Sequence, residues 1–315
     1  MNYENKLTQI ITKLECDLDK NWIIIGDNSS GKSELLYRYV ERRKSKVYFI
    51  DAVNRCFNVR EIRLTEEQLG YKESVETIIK CRIDKEFFNL RDSFGSQGHI
   101  ERLYQMYSDS LHNLILRYLG IDLHFEREKH GEGFGDGNIQ ASVNGNVVEL
   151  SNGYQGLLRI FAELIMFCEV FEEKGTIVID EIDEFLSPKQ SYTILQFLIE
   201  QFPDSRFIVT THSNDLICGT KDCNIIVLED EQYQLLDSND FTTNTDVATL
   251  FKSVFGHSRG WKSDKGEMDE LLRKLLEIKL SNCWGDENER ELQAINENEL
   301  TLVQKVIWNQ IRGWN

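Results

Sequence analysis

Five short apolar runs recur along the chain, at Trp22–Ile25, Val47–Ile50, Thr176–Ile179, Phe207–Thr210 and Ile225–Leu228. Each is rich in β-branched residues and bounded by turn or polar residues. Near-continuous hydrophobicity of this length fits strands covered on both faces of a sheet. Helical patterns lie between them, at Ser33–Arg43, Tyr154–Phe171 and Pro188–Gln201. Strand–helix alternation of this kind predicts an α/β core with a mainly parallel sheet. Leu103, Tyr107, Leu111, Leu114 and Tyr118 recur at helical spacing and predict an amphipathic helix that ends at Gly120. Asn144-Gly145, between "ASV" and "NVVEL", is a hairpin turn signal.

Two regions break the alternation. Between Asn54 and Gly98 the pattern is charged and mixed, and 55–139 as a whole predict a mostly helical, lid-like insertion, with "GEGFGDGN" (Gly131–Asn138) as a flexible loop. Farther on, Met268–Leu280 and Glu291–Ile311 predict amphipathic helices joined by the polar "SNCWGDENER". Trp284, Trp308 and Trp314 fall there, and indoles in such numbers pack against the chain's own core or against a partner. This reading divides the chain into a head, 1–240, and a C-terminal helical extension, 241–315.

Composition narrows the classes. A net charge of −17 over 315 residues opposes broad nucleic-acid binding, which draws on Lys and Arg neutralising phosphates. The basic run Arg42-Arg43-Lys44-Ser45-Lys46 sits where a helix should end and suits its dipole. No apolar run is long enough to span a bilayer, and the first residues do not read as a signal peptide, so direct membrane insertion is not expected. The cysteines, 7 in number and without a Cys-x-x-Cys pair, fit reduced thiols in the cytoplasm. Cys218 and Cys223 lie close together, but no second pair completes a tetrahedral metal set.

The chemistry concentrates in four segments. Gly26-Asp27-Asn28-Ser29-Ser30-Gly31-Lys32-Ser33 fits G-x-x-x-x-G-K-[ST] between a strand and a helix. Glycines let such a loop wrap a phosphate with backbone N–H groups, and the helix adds its positive end. Lys32 would reach the β- and γ-phosphates and Ser33 would hold Mg²⁺. The second segment, "GTIVIDEIDEFLSP" (Gly175–Pro188), ends a strand in two carboxylates. Asp180 can support Mg²⁺ and Glu181 can polarise an attacking water, which favours hydrolysis over transfer; the bland reading has both capping the next helix with Asp183. No Asn/Thr-Lys-x-Asp element for guanine follows a strand, so ATP is the expected nucleotide. The third, "LSNGYQG" (Leu150–Gly156), precedes a helix and serves either as an N-cap or as an anion site. The fourth, "FIVTTHSNDLI", puts His212 just past a strand end, where ligands of parallel sheets sit.

These four elements, in this order, resemble the ABC-type ATPases of the RecF/SMC-like branch, which includes the overcoming-lysogenization-defect type. The resemblance spans about 1–54 and 140–230. It implies a P-loop NTPase fold with an ABC-like mainly parallel sheet, and ATP with Mg²⁺ as cofactors. Residue by residue, it implies that Lys32 and Ser33 serve the phosphates and metal, Asp180 supports the metal, Glu181 is the catalytic base, and His212 senses the γ-phosphate. Ser151 and Gly153 would contact the ATP of a second subunit, so that two heads sandwich two nucleotides in a homodimer. Ile182 replaces the Pro usual after the base, and Ser187 stands where His is common before Pro188. Gln68 and Gln97 are the candidates for the glutamine that normally approaches Mg²⁺. The implied function is an ATP-driven switch acting on a separate effector protein, as in anti-phage systems. The alternatives are the ATPase subunit of a membrane transporter, whose signatures read closer to Leu-Ser-Gly-Gly-Gln, and a RecF-like DNA repair ATPase, which the charge opposes.

Overall fold

The computed structural model describes residues 3–27, 29–43, 47–52, 57–64, 71–82, 98–128, 138–228, 232–241, 268, 271–272, 274–275, 278–279, 284–296, 300 and 302–313. The chain forms two compact units, Met1–Gly256 and His257–Asn315. The first opens with α1 (Tyr3–Cys16), β1 (Asn21–Gly26), α2 (Lys32–Arg42) and β2 (Val47–Asp51). Then come α3 (Tyr71–Arg82), α4 (His99–Arg102), α5 (Tyr104–Leu119), β3 (Leu123–Arg127), β4 (Ile139–Val143) and β5 (Asn146–Val148). It continues with α6 (Asn152–Ile165), β6 (Thr176–Asp180), α7 (Pro188–Gln201), β7 (Arg206–Thr210), α8 (Asn214–Gly219), β8 (Cys223–Leu228) and β9 (Tyr233–Asp237).

All five apolar runs are strands of one sheet, ordered β2-β6-β7-β1-β8-β9. The first five are parallel neighbours and β9 closes the edge antiparallel to β8. Alternation along the strands explains why both faces are apolar. Trp22 and Ile24 pack with Leu7, Ile10, Leu35 and Tyr39 of α1 and α2, whereas Ile23 and Ile25 pack in the layer of α5, α6 and α7. The result is a helix–sheet–helix sandwich with the mainly parallel sheet at its centre.

Local chemistry sets the element ends. Gly120 takes φ 68° as the C-cap of α5, its N–H bonding Leu116 O, which is why the helix stops where the sequence predicts. Ser187, standing where His is common, caps α7 through a reciprocal box with Gln190 and Pro188 at the first turn. The predicted helix 154–171 is α6 followed by a single π turn, Met166–Val170. Asn144 and Gly145 have φ of 50° and 78° and make the tight hairpin between β4 and β5.

The described part of 57–139 holds the helices α3, α4 and α5, and it also holds a strand. Leu123 and Phe125 of β3 are buried while His124 faces solvent, a period of two that pairs with β4. Gly131–Gly137 of the glycine-rich loop lie outside the described residues.

In the second unit, α9 (Asp286–Gln293) and α10 (Leu302–Gly313) replace the single predicted helix Glu291–Ile311. The helix begins earlier, because the Gly285 N–H donates to Asn288 Oδ1, so half of "SNCWGDENER" is helical. It breaks after Gln293: Ala294–Asn296 form a turn that buries Ile295. Described residues between Met268 and Lys279 are helical as expected. Leu272, Leu275, Leu292, Ile295, Leu300, Trp308 and Ile311 form a core of their own, and Trp284 packs on it. Trp314 lies outside the described residues.

Candidate nucleotide site

Sheet order positions the site. Because β7 lies between β1 and β6, the ends of three strands bring the phosphate loop, the paired carboxylates and the histidine segment to one edge. Backbone bonds knit these ends: Thr211 N–H donates to Ile24 O at 3.3 Å and Ile182 N–H to Thr210 O at 3.1 Å.

The loop between β1 and α2 is built for close approach. A side chain at Gly26 would lie 2.5 Å from Ser30 Oγ and 2.9 Å from Leu228 O. Gly31 holds φ 97° as the uncapped residue before α2, against the Tyr3 hydroxyl. Ser29 adopts φ 68°, and the Ser30 N–H donates to Asp27 O at 3.1 Å. Ser30 Oγ is buried without a hydrogen-bond partner. An orphaned hydroxyl, an uncapped helix start and a cradle that a Cβ would fill together suit a phosphate. Asn28 lies outside the described residues, as do Gln68 and Gln97.

Lys32, Glu181 and His212 converge. Lys32 Nζ donates to Gly26 O at 3.1 Å and to Asp27 O at 3.4 Å, lies 2.8 Å from His212 Nε2 and 3.6 Å from Glu181 Oε1. His212 Nε2 is 3.1 Å from the same Glu181 oxygen. Burial pushes the Lys32 ammonium below its usual range, against the pull of Glu181 and Asp180. Burial alone would raise Glu181, but the hydrogen bond and charge of His212 and the charge of Lys32 hold it below the usual carboxylate range. Its backbone is unusual as well: Glu181 has φ 51°, a left-handed conformation that costs a non-glycine residue about 1–3 kcal/mol.

Asp180 and Ser33 form the second pair. Ser33 Oγ donates to Asp180 Oδ2 at 2.8 Å, and Thr210 Oγ1 donates to Oδ1 at 2.5 Å. Burial raises Asp180 in spite of these two donors. A carboxylate and a hydroxyl facing one another across the strand ends form an all-oxygen donor set suited to Mg²⁺. The helix-capping reading of the carboxylates does not hold: Ser187 caps α7, and Asp183 accepts from Thr211 Oγ1 at 2.7 Å and Ser191 Oγ at 2.5 Å.

Thr210, Thr211, Ser191 and Ser213 were not singled out by sequence reasoning. Thr210 Oγ1 also accepts from the Glu181 N–H at 2.7 Å, and Thr211 Oγ1 accepts from the Ser213 N–H at 2.8 Å. Two adjacent hydroxyls at the end of an apolar strand are the signal that could have found the threonines.

Ser151 and Gly153 make other contacts. Ser151 is the exposed N-cap of α6 and accepts from the Tyr154 N–H at 3.4 Å; Gly153 abuts the carbonyl of Phe185, which a Cβ would approach to 2.8 Å. Among the described residues no hydrogen bond joins either one to Lys32 or Ser33.

Residues 57–218, more than half of the chain, match the AAA domain family whose description names the AbiEii toxin and type IV toxin–antitoxin systems. The chain belongs to this family. The matched span takes in the insertion and the segments of Ser151, Asp180, Glu181 and His212, and begins after the phosphate loop. Septu protein PtuA of Bacillus mycoides (strain KBAB4) is 33% identical over 165 residues, covering 50% of this chain and 23% of PtuA. The chain therefore spans well under half the length of that relative. Among solved structures, a nucleotide-free ATP-binding cassette from an ABC transporter aligns with TM-score 0.42 and 16% identity, over 77% of this chain and 89% of the other. An SmcHead bound to the C-winged helix domain of ScpA aligns with TM-score 0.37 and 15% identity, over 69% and 90%. Among the described residues of this AAA-family chain, no helix is long and apolar enough to cross a membrane.

Proposed function

We propose that this chain binds and hydrolyses ATP as a switch, that two copies close on the nucleotide, and that the closed state acts on a separate effector protein in a defence role. The observation that carries the reading is the meeting of Lys32, Glu181 and His212 at the strand ends, beside the Ser33–Asp180 pair. The loop from Gly26 to Ser33 receives the phosphates. Lys32 leaves its carbonyl partners for the β- and γ-phosphates, an exchange that relieves its buried charge. Ser33 and Asp180 would hold Mg²⁺, which when bound would neutralise developing phosphate charge. Glu181, ionised at neutral pH, takes the proton of a water that attacks the terminal phosphorus, and the bond to the ADP oxygen breaks. His212, on the same Glu181 oxygen, orients that carboxylate and donates to the γ-phosphate.

Dimer closure is supported by the placement of Ser151. Its hydroxyl and the start of a 14-residue helix are exposed, and among the described residues no hydrogen bond joins Ser151 to Lys32 or Ser33, so this anion-binding end is open to a second copy. The toxin–antitoxin wording of the family and the likeness to Septu protein PtuA support the effector and defence parts.

Light scattering on E181Q with and without Mg-ATP tests this. Removal of the base retains the binding contacts, so ATP should produce a species of twice the mass that S151R in the same background prevents. Unchanged mass with bound ATP would refute closure between two copies; absence of ATP binding would refute the site.

A further inference from the structure

His112, Asp122 and His124 lie on the insertion, outside the nucleotide site. His112 is on α5, His124 is on β3, and Asp122 is in the short link between them. One ligand atom from each lies within 4.8 Å of the others, and among the described residues this is the group with such a geometry. Both imidazoles turn Nε2 to the same oxygen: Asp122 Oδ1 is 2.7 Å from His124 Nε2 and 3.6 Å from His112 Nε2. The rings stack with centroids 4.6 Å apart, so both nitrogens face one side.

His112 Nδ1 lies 3.2 Å from the Leu123 carbonyl, which can only accept, so Nδ1 carries a proton and Nε2 is the nitrogen left for a ligand. At 3.6 Å from Asp122 Oδ1, that Nε2 is too far for a hydrogen bond. The spacing is close to the roughly 3.4 Å between tetrahedral ligands held about 2.1 Å from an ion. The 2.7 Å contact of His124 Nε2 with Asp122 Oδ1 is a hydrogen bond, which would lengthen to admit the ion. An Nδ1–H held by a backbone carbonyl is also how metal-binding histidines are oriented.

The geometry points to a divalent first-row metal site at His112, Asp122 and His124. Two imidazoles and one carboxylate select zinc, cobalt or nickel over Mg²⁺ and Ca²⁺, which prefer oxygen. The ion replaces the proton that now links His124 to Asp122, and partial exposure of all three residues leaves the remaining positions to water. Its effect is to clamp α5 to the small sheet. The Asp122 N–H already donates to Asn144 Oδ1 at 3.0 Å and the Asn144 N–H to Asp122 O at 2.8 Å, so the clamp extends to the β4–β5 hairpin.

The test is equilibrium dialysis of tag-free, chelator-stripped full-length chain against micromolar Zn²⁺ with Mg-ATP present, with zinc counted by elemental analysis. Thiols can also hold zinc, so the difference between proteins is the readout. The wild type should retain one zinc more per chain than H124A or D122N, and Zn²⁺ should raise its Tm but not theirs. His124 and Asp122 are both exposed, so neither variant threatens the fold; circular dichroism checks this. Equal zinc in the wild type and both variants would overturn the proposal. So would an extra zinc that survives in H124A.

Discussion

Ser33 and Asp180, 147 residues apart in sequence, meet through a 2.8 Å hydrogen bond from the serine hydroxyl to a carboxylate oxygen. Each alone is ordinary, a serine in the first turn of α2 and an aspartate at the end of β6; together they form an all-oxygen pair. S33A and D180N should each lower Mg²⁺-dependent ATP turnover by about 10²–10³-fold, the usual loss of one charge-stabilising contact. Phosphate release measured with and without Mg²⁺ reads this. Turnover within a few-fold of wild type would remove the pair from the chemistry.

His212 touches both Lys32 and Glu181, so its loss should act on the chemical step more than on binding. H212A is expected to reduce kcat about 10²-fold with little change in KM. A raised KM at unchanged kcat would assign His212 to ground-state binding instead.

Glu181 supports a stability prediction with a definite sign. Its folded value is depressed, so its stabilising contribution is present above the ordinary carboxylate range and is lost as pH falls through the folded value. E181Q should therefore lower the urea midpoint at pH 7, where it also leaves Lys32 short of its partner. The gap to wild type should narrow as pH falls toward about 4. A gap that widens in acid would contradict the ion pairing seen here.

A buried charge network joins α6 to β2, α3 and α4. Arg82 Nη2 donates to Glu163 Oε1 at 3.0 Å and Nη1 to Phe49 O at 2.8 Å, the Tyr48 hydroxyl donates to Glu163, and Arg159 pairs with Glu101 at 2.5 Å. Arg82, Glu163 and Glu101 are wholly buried. E163Q should cost about 3–5 kcal/mol by leaving guanidinium charge uncompensated in the core. The double variant R82M/E163M should recover part of that loss in urea unfolding. A loss from E163Q below about 1 kcal/mol would mean that water reaches the network.

Cys223 is buried, and burial pushes its thiol up to about 12. The group becomes a thiolate only as pH approaches that value, so at pH 8 it should resist alkylation while exposed Cys16 reacts. Peptide mapping after iodoacetamide treatment measures the order of labelling. Early labelling of Cys223 would show that β8 opens readily.

Much of the site was legible because its chemistry is local. Gly26–Ser33 must follow a strand and open a helix, and Asp180-Glu181 must end an apolar run, so short windows sufficed. The strand β3 was missed because Leu123 and Phe125 alternate with charged residues inside a stretch whose overall character is mixed. The single helix expected over 291–311 failed for the opposite reason. Its apolar spacing continues, but the turn after Gln293 buries Ile295 in a separate core, and tertiary packing overrode local periodicity.

The sequence by itself determined the five parallel strands of the main sheet, the phosphate loop and the types of residue available for chemistry. These follow from hydrophobic period and from the few residues that can make a tight anion-binding turn. Only the tertiary structure decided which of those residues meet. Strand order places β7 between β1 and β6, and this alone sets His212 against Lys32 and Glu181, and Thr210 against Asp180. The packing of α5 against β3 in turn brings His112 onto the carboxylate that His124 also faces. Contacts between distant segments depend on sheet order and register, which no local pattern encodes, because many orders bury the same apolar strands equally well.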